Sequence, residues 1–194
     1  MESFVETIFA KSSGSGTAAI CVLRISGPKS LRTLNILLKS EFRTAPRQAV
    51  LRTLWFGEDR LDTALIIFFE KERSFTGEEV VEIHLHGGKA VVDMVVDVLS
   101  SFQDIRPAGP GDFTRQALEN GKLDLSEVEG LGDLINAETR AQKIQAEKLF
   151  YGDFNKTIDG WRVKLLNIKA NLESSIDFCE EDIQINFEED IIKR

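Results

Sequence analysis

The chain has 194 residues, of which 42% are hydrophobic and 29% charged, and its formal net charge is −8 at pH 7. This length suits one well-packed domain, or one domain plus the start of another, and the composition is that of a globular protein. The negative charge argues against a domain that grips phosphate backbones by itself.

Cysteine usage and the first residues indicate the compartment. Cys21 and Cys179 lie far apart, and Cys21 falls in an apolar run, so a disulfide framework is not expected. The start, MESFVETIFAKSSGSG, has two acidic residues and no long apolar core, unlike a secretory signal or an Arg-rich transit peptide. No window reaches the length of a membrane span. These features predict a soluble, cytoplasmic protein with reduced cysteines.

The first half has the pattern of an α+β domain. Strand-like runs and amphipathic helical runs alternate in the order β-β-α-β-β-β-α, with a Gly-rich link after the first strand and a hairpin-like turn at GEDRL. The runs are FVETIFA, TAAICVLRIS, GPKSLRTLNILLKS, AVLRTLWF, DTALIIFFE, EVVEIHL and GGKAVVDMVVDVLSSF. We therefore predict a mixed sheet covered by two helices.

Composition changes after RPAGPGD, and the second half reads as helical. DFTRQALEN is a helix that Asn120 and Gly121 end, and Ser126 with Glu129 has the pattern of a capping box that opens the next. We predict an α+β domain over 1–118 and the first part of an incomplete helical domain over 119–194.

An apolar stripe of helical spacing predicts one long helix, or two nearly collinear ones, between Glu138 and Phe178. Gly152 and Gly160 are the expected kinks. The stripe consists of Phe150, Phe154, Ile158, Trp161, Leu165, Ile168, Leu172 and Ile176. Such a helix cannot bury its stripe alone, so we expect a second copy, or the rest of a larger protein, to cover it. The last residues, EEDIQINFEEDIIKR, begin another helical pattern.

Both histidines lie in GEEVVEIHLHGG, residues 77–88. On a strand, Glu82, His84 and His86 project to one face, and the apolar residues between them project to the other. Zinc accepts such ligands, but a third ligand on a straight strand diverges from the other two. A half-buried strand face is the commoner outcome, and no metal site is predicted.

Catalytic motifs are absent from the sequence. Neither SSGSG nor ISGPKS matches the phosphate-binding G-x-x-x-x-G-K-[ST] pattern, and two histidines leave little room for a nucleophile and base. Nucleotide hydrolysis by these residues alone is not expected, and no catalytic residue is predicted.

Four stretches together resemble the tRNA-modification GTPase family called MnmE or TrmE, in the family's order and over nearly the whole chain. They are ICVLRISGPKSL, SFTGEEVVEIHLHGG, RPAGPGDFTRQALENGKLDLSEVEGLGDLINAET and SSIDFCEEDI. The resemblance implies an N-terminal folate-binding and dimerising domain, similar to that of aminomethyltransferases, followed by long helices. It also implies that GTP, Mg²⁺ and K⁺ bind only to a GTPase domain that this sequence lacks.

In that family, the protein works with a flavin-dependent partner, MnmG or GidA, and adds an aminomethyl-type group to C5 of the wobble uridine of tRNA. The resemblance therefore implies a homodimer, that partner, and tRNA only as part of the complex, with no membrane. It implies a reduced folate, 5-formyl- or 5,10-methylene-tetrahydrofolate, as the bound cofactor. The folate contacts carried over by matching positions are Arg24, Glu82 and Lys122.

The chemistry of these residues suits a folate. An ionised carboxylate such as Glu82 can accept two parallel hydrogen bonds from the amidine-like edge of a pterin. Arg24 and Lys122 suit the carboxylates of the benzoyl-glutamate tail. A self-sufficient folate-dependent one-carbon transferase is the alternative function, and whether this chain alone is an enzyme stays open.

Overall fold

A computed structural model describes residues 6–14 and 16–177 of the chain. The chain divides between Leu125 and Ser126 into two compact units. We call them the sheet unit and the helical unit and describe each by itself. The domain boundary predicted after residue 118 stays a prediction.

The sheet unit is built on one six-stranded mixed sheet in the order β3-β4-β5-β2-β1-β6. The strands are β1 Thr7–Lys11, β2 Ile20–Ser26, β3 Val50–Phe56, β4 Asp59–Phe69, β5 Val80–His86 and β6 Ile105–Pro107. Neighbouring strands are antiparallel except for β1 and β6, which are parallel. The structure confirms the α+β class and the first five strands, and adds β6, which the sequence patterns did not predict.

Two helices cover one face of this sheet, as predicted. Helix α1 spans Ser30–Leu38 and helix α2 spans Lys89–Ser100. Alternate residues of β2 and β5 pack against the two helices. Leu23 and Ile83 are examples, and both are fully buried. Burial of such side chains contributes about 1.5 to 3 kcal/mol each. We call this side of the sheet the core face and the other side the second face.

A third helix of the sheet unit contacts the second face. Helix α3 spans Asp112–Glu119 and ends at Asn120, with Gly121 in the left-handed conformation at φ 65°, as predicted. The fully buried Ser26 Oγ donates to Gln116 Oε1 at 2.7 Å, which joins α3 to the end of β2. The second face is thus bounded by α3 at this end of the sheet.

The predicted long-helix region contains two helices, which is one of the two expected arrangements. Helix α4 spans Leu125–Asn136, α5 spans Arg140–Phe150 and α6 spans Asp153–Asp177. Gly152, at φ 74°, separates α5 from α6, because a residue in the left-handed conformation cannot continue an α-helix. The second expected kink is absent, and α6 runs through Gly160 without interruption.

The helix starts differ from the predicted ones. Helix α4 begins at Leu125, so Ser126 lies inside its first turn and not at the N-cap; Asp124, another residue type that favours caps, precedes the helix. A complete capping box is present instead at α5. There the Thr139 hydroxyl accepts from the backbone N–H of Gln142, whose side-chain oxygen accepts from the backbone N–H of Thr139.

The apolar stripe of α6 remains open to solvent within the described residues: Trp161, Leu165 and Leu172 are all exposed. None of the described helices combines the length and the low charge that crossing a bilayer requires. Cys21 is buried and unbonded to another cysteine, whereas Cys179 and the predicted helical pattern after residue 179 lie outside the described residues.

Candidate functional site on the second face of the sheet

Strand β5 presents its two faces as the sequence predicted. Val81, Ile83 and Leu85 are buried in the core, whereas Glu82 and His84 are half-buried on the second face and His86 is exposed. The pairing of β2 with β5 sets Arg24 directly opposite Glu82. Directly opposed residues share a face, so two of the three predicted folate residues meet on the second face.

Arg24 and Glu82 form a bonded ion pair. Arg24 donates from Nε at 3.0 Å and from Nη2 at 2.7 Å, and Glu82 Oε1 accepts both bonds. The side chains are 26% and 17% exposed, respectively. The pair is therefore reachable from solvent yet partly shielded, and the guanidinium holds the carboxylate in one orientation. Within the described residues no hydrogen-bond donor reaches Glu82 Oε2.

Two phenyl rings flank the Arg24 guanidinium. Its Cζ lies 5.5 Å from the ring centre of Phe113 on α3 and 6.0 Å from that of Phe75. Both distances fall in the range of cation–π attraction. Phe75 belongs to residues 70–79, which we call the 70–79 loop and which connect β4 to β5 through a short 3₁₀ turn at Lys71–Arg73. The site thus has aromatic walls from a loop and from a helix.

Buried polar contacts fix the 70–79 loop on the end of β2. Thr76 is fully buried, and its hydroxyl lies 2.7 Å from Ser26 Oγ, which also bonds to Gln116. Asn120 Nδ2 donates to the Thr76 carbonyl at 2.8 Å and to Glu78 Oε1 at 2.9 Å. Buried polar groups that are satisfied in this way favour one arrangement of the loop over others.

Lys122 contacts the 70–79 loop and not the Arg24–Glu82 pair itself. Its Nζ donates to the Glu72 carbonyl at 2.6 Å, and the hydrogen bonds of the described residues do not join it to Arg24 or Glu82. A β-carbon added at Gly77, which adopts φ 76°, would lie 2.7 Å from Asn120 Cβ and 3.2 Å from Lys122 Cγ. The close packing at Gly77 brings Lys122 to the loop that carries Phe75. An ammonium has three donors, so two remain for a ligand.

The two histidines have different surroundings. His86 is 73% exposed, and its Nδ1 lies 2.7 Å from Asp62 Oδ1 on β4. Burial raises the pKa of Asp62, but bonds from the His86 N–H, the His86 ring and the Thr63 N–H outweigh it and leave that pKa below its ordinary value. His84 is 25% exposed, and its Nε2 lies 3.9 Å from Glu82 Oε2. No described cluster of three or more His, Cys, Asp or Glu residues is arranged to hold a metal ion.

Apolar side chains border the polar row of β5 on both sides. The register places Ile67 of β4 opposite Glu82, and it places Leu65 of β4 and Val22 of β2 on either side of His84. All three are half-buried. Together with the phenyl rings, this makes a largely apolar surface crossed by a short polar row, which suits a flat heterocycle with one hydrogen-bonding edge.

Sequence reasoning missed several residues of this site. Phe75 and Phe113 lie in the stretches that carry the family resemblance, but an aromatic residue in a loop or on a short helix has no spacing that points to a partner strand. Ser26, Thr76 and Gln116 come from three separate segments. Only the folded sheet brings these segments together, so their local patterns gave no signal.

Comparison with known proteins identifies two family regions in the chain. Residues 7–122 match the family described as "GTP-binding protein TrmE N-terminus", and residues 125–194 match the family described as "MnmE helical domain". The chain is 43% identical over 191 residues to the tRNA modification GTPase MnmE of Cereibacter sphaeroides, which covers 97% of this chain and 44% of that protein.

Two further relatives agree. The tRNA modification GTPase MnmE of Parvibaculum lavamentivorans is 46% identical over 181 residues, covering 92% of this chain and 41% of that protein. The human protein named 5-taurinomethyluridine-[tRNA] synthase subunit GTPB3, mitochondrial, is 47% identical over 191 residues, covering 97% of this chain and 38% of that protein. The chain thus spans about two-fifths of the length of these relatives. With both of its regions matched in this order, the chain belongs to the MnmE/TrmE family of tRNA modification GTPases.

Proposed function

We propose that this chain is the tetrahydrofolate-binding and homodimerising portion of a tRNA-modifying GTPase. With a flavoprotein partner, that protein adds an aminomethyl-type group to C5 of the wobble uridine of tRNA. The folate supplies the one-carbon unit. Family membership supports a role in tRNA modification, and the observation that carries the folate proposal is the half-buried Arg24–Glu82 pair on the second face.

The pair fits the pterin ring of a reduced folate. Arg24 binds one oxygen of Glu82 with two hydrogen bonds and keeps the carboxylate oriented, while Glu82 Oε2 stays available to accept from a pterin N–H. The half-buried Ile67 beside Glu82 and the phenyl rings of Phe75 and Phe113 give the ring system apolar contacts. In this arrangement, Arg24 serves the pterin end through Glu82.

The cation for the glutamate tail is then Lys122. Its ammonium has no carboxylate partner among the described residues and uses one donor on the Glu72 carbonyl. The remaining donors suit a carboxylate of the benzoyl-glutamate tail. The 70–79 loop, which contacts Lys122 and carries Phe75, connects the two ends of the proposed ligand site.

Calorimetry of Glu82→Gln with 5-formyl-tetrahydrofolate tests the folate proposal. The amide replaces an anionic acceptor with a neutral one, so we expect the binding free energy to weaken by about 1.5 to 3 kcal/mol with the fold intact. Glu58→Gln is the matched control, because Glu58 is exposed in the turn between β3 and β4, at the far edge of the sheet. Equal affinity of Glu82→Gln and wild type would remove the carboxylate from the site. Turnover of 5,10-methylene-tetrahydrofolate by the chain alone would favour the one-carbon transferase instead.

The proposed homodimer forms through the sheet unit. The run TALIIFFE, residues 63–70, leaves Leu65, Ile67 and Phe69 only half-buried, and Leu51, opposite Leu65 on the edge strand β3, is 62% exposed. Contiguous apolar surface of this kind is typical of association sites.

Light scattering tests the dimer at protein concentrations on the order of tens of micromolar. We expect wild type to be dimeric and Leu51→Glu to shift toward monomer. Leu165→Glu, on the 66% exposed Leu165 of α6, is the control that leaves the dimer unchanged. A monomeric wild type, or a dimer that only Leu165→Glu disrupts, would contradict the proposal.

A further inference from the structure

One polar atom on the second face lacks a partner. His84 Nε2 is shielded from solvent and forms no hydrogen bond with any described residue. An unmet buried donor or acceptor is costly, and natural proteins leave few of them without a structural or functional reason. The imidazole therefore needs an explanation beyond its place on a half-buried strand.

The neighbours of His84 on the sheet do not supply that partner. Leu65 and Val22, which lie opposite it on the adjacent strands, are apolar. Glu82 Oε2 is 3.9 Å away, beyond a hydrogen bond, and the other oxygen of that carboxylate is bound by Arg24. His86, two residues along the strand, differs, because Asp62 bonds both its ring and its backbone N–H.

Glu82 Oε2 and His84 Nε2 thus form a pair of adjacent, unfilled positions on one face. One is an acceptor, and the other is a donor in the Nε2–H tautomer. Their separation of 3.9 Å is too long for a mutual hydrogen bond, but it lets two neighbouring atoms of a ligand edge face the two groups side by side. The complementary edge has a ring N–H beside a carbonyl oxygen, which is the edge of a cyclic lactam.

We infer that His84 is a further ligand-binding and specificity-determining residue of this site. It donates from Nε2 to the C4 carbonyl oxygen of the pterin lactam, while Glu82 accepts from the adjacent ring N–H. The inference rests on the proposed folate function and extends it, because it names the pterin edge that the site reads. Selection for a 4-oxo ring over rings without that oxygen follows from the same contact.

Calorimetry with two ligands tests this assignment: 5-formyl-tetrahydrofolate and its 4-deoxy analogue. We expect His84→Leu to weaken 5-formyl-tetrahydrofolate about tenfold, the usual scale for one lost hydrogen bond in a shielded site, and to leave the analogue nearly unaffected. His84→Gln keeps a side-chain N–H donor, so it recovers most of the affinity. His86→Gln, at the satisfied histidine, is the matched control and binds like wild type. An equal loss for both ligands in His84→Leu would overturn the assignment.

The chain has only two histidines, so imidazole ¹⁵N spectra resolve the contact directly. On adding 5-formyl-tetrahydrofolate, the His84 Nε2 signal should shift and the His86 signals should stay in place; an unmoved His84 signal in the saturated protein would contradict the inference. Glu82→Gln separates the two proposals. If it loses affinity while His84→Leu does not, the inference fails and the folate function stands. If neither variant loses affinity, both fail.

Discussion

The sheet unit and the helical unit use the same kinds of apolar side chain in different ways. In the sheet unit, β2 and β5 bury the apolar residues of their core face against α1 and α2, and the half-buried side chains of these two strands lie on the second face. In the helical unit, most of the stripe on α6 is exposed within the described residues. The difference shows that a periodic apolar pattern predicts which face of an element is apolar, but not what covers that face.

The polar side chains of the two units also differ in which partners they bond. In the sheet unit, the Ser26 hydroxyl bonds to both Thr76 and Gln116 across long sequence separations. In the helical unit, the Lys143–Glu147 and Lys169–Glu173 pairs each lie within one helix. A ligand site requires fixed side chains from several segments, which is why the candidate site lies in the sheet unit.

Truncation of one leucine in each unit gives the largest expected difference. Leu23 is fully buried in β2, so Leu23→Ala should lower the free energy of unfolding of the sheet unit by about 2 to 5 kcal/mol. Leu165→Ala, on the exposed stripe of α6, should change stability by less than about 0.5 kcal/mol.

The two tryptophans allow each unit to be followed separately, because Trp55 lies in β3 and Trp161 in α6. Urea unfolding followed by fluorescence, in Trp161→Phe and Trp55→Phe backgrounds, reports on the sheet unit and the helical unit in turn. A large effect of Leu165→Ala in the helical-unit signal would show that the stripe is covered in solution.

Much of this contrast could be predicted from the sequence. The alternation in VVEIHLH indicated the correct face for each residue of β5, because a strand with one buried face is specified by its period of two. The short strand β6 was missed, because its three residues, Ile105–Pro107, have no period of their own and pair with β1, 98 residues away. Local pattern cannot specify such a pairing.

The candidate site was predictable in its residues but not in its contacts. Arg24, Glu82 and Lys122 came from the family resemblance, and their folate contacts remain predictions. That Arg24 bonds directly to Glu82 depends on the register of β2 with β5, which is set by tertiary structure. The role of Thr139 was available in the sequence as a Thr-x-x-Gln capping box. It went unpredicted because the long helix was expected to begin at about Glu138, which would place Thr139 inside it and not at its N-cap.

Two glycines in the helical unit sharpen the comparison at the next level of effect. A β-carbon at Gly130 of α4 would lie 2.5 Å from the Phe150 backbone nitrogen, whereas one at Gly160 of α6 would meet nothing within 4 Å. Gly130→Ala should therefore destabilise the helical unit by about 1 to 3 kcal/mol. Gly160→Ala should stabilise it by up to about 1 kcal/mol, because alanine loses less backbone entropy in a helix.

Thermal unfolding of both glycine variants, followed by Trp161 fluorescence, distinguishes close packing at Gly130 from a general sensitivity of the helical unit to replacement of glycine by alanine. If Gly130→Ala were neutral, the close approach of α4 to α5 would be relieved by a small shift. A destabilising Gly160→Ala would mean that something contacts that face of α6 in solution.

The last comparison concerns one charge pair in each unit, and its size depends on pH. Asp62 is only 8% exposed, and the bonds from His86 and Thr63 hold its pKa below the ordinary value of 3.8 despite the opposing effect of burial. A carboxylate whose pKa is depressed by folding stabilises the folded state above its unfolded pKa. That contribution is lost as the pH falls through the folded value. Asp62→Asn should therefore lower the free energy of unfolding by about 1.5 to 2 kcal/mol at neutral pH, and its difference from wild type should shrink below pH 3.8.

Glu173→Gln, which removes an exposed pair with Lys169, is the control, with a loss below about 0.5 kcal/mol that salt reduces further. Urea titrations at several pH values, read through Trp55 for Asp62→Asn and through Trp161 for Glu173→Gln, measure both. A difference for Asp62→Asn that stays constant down to pH 2 would show that the carboxylate charge does not stabilise the sheet.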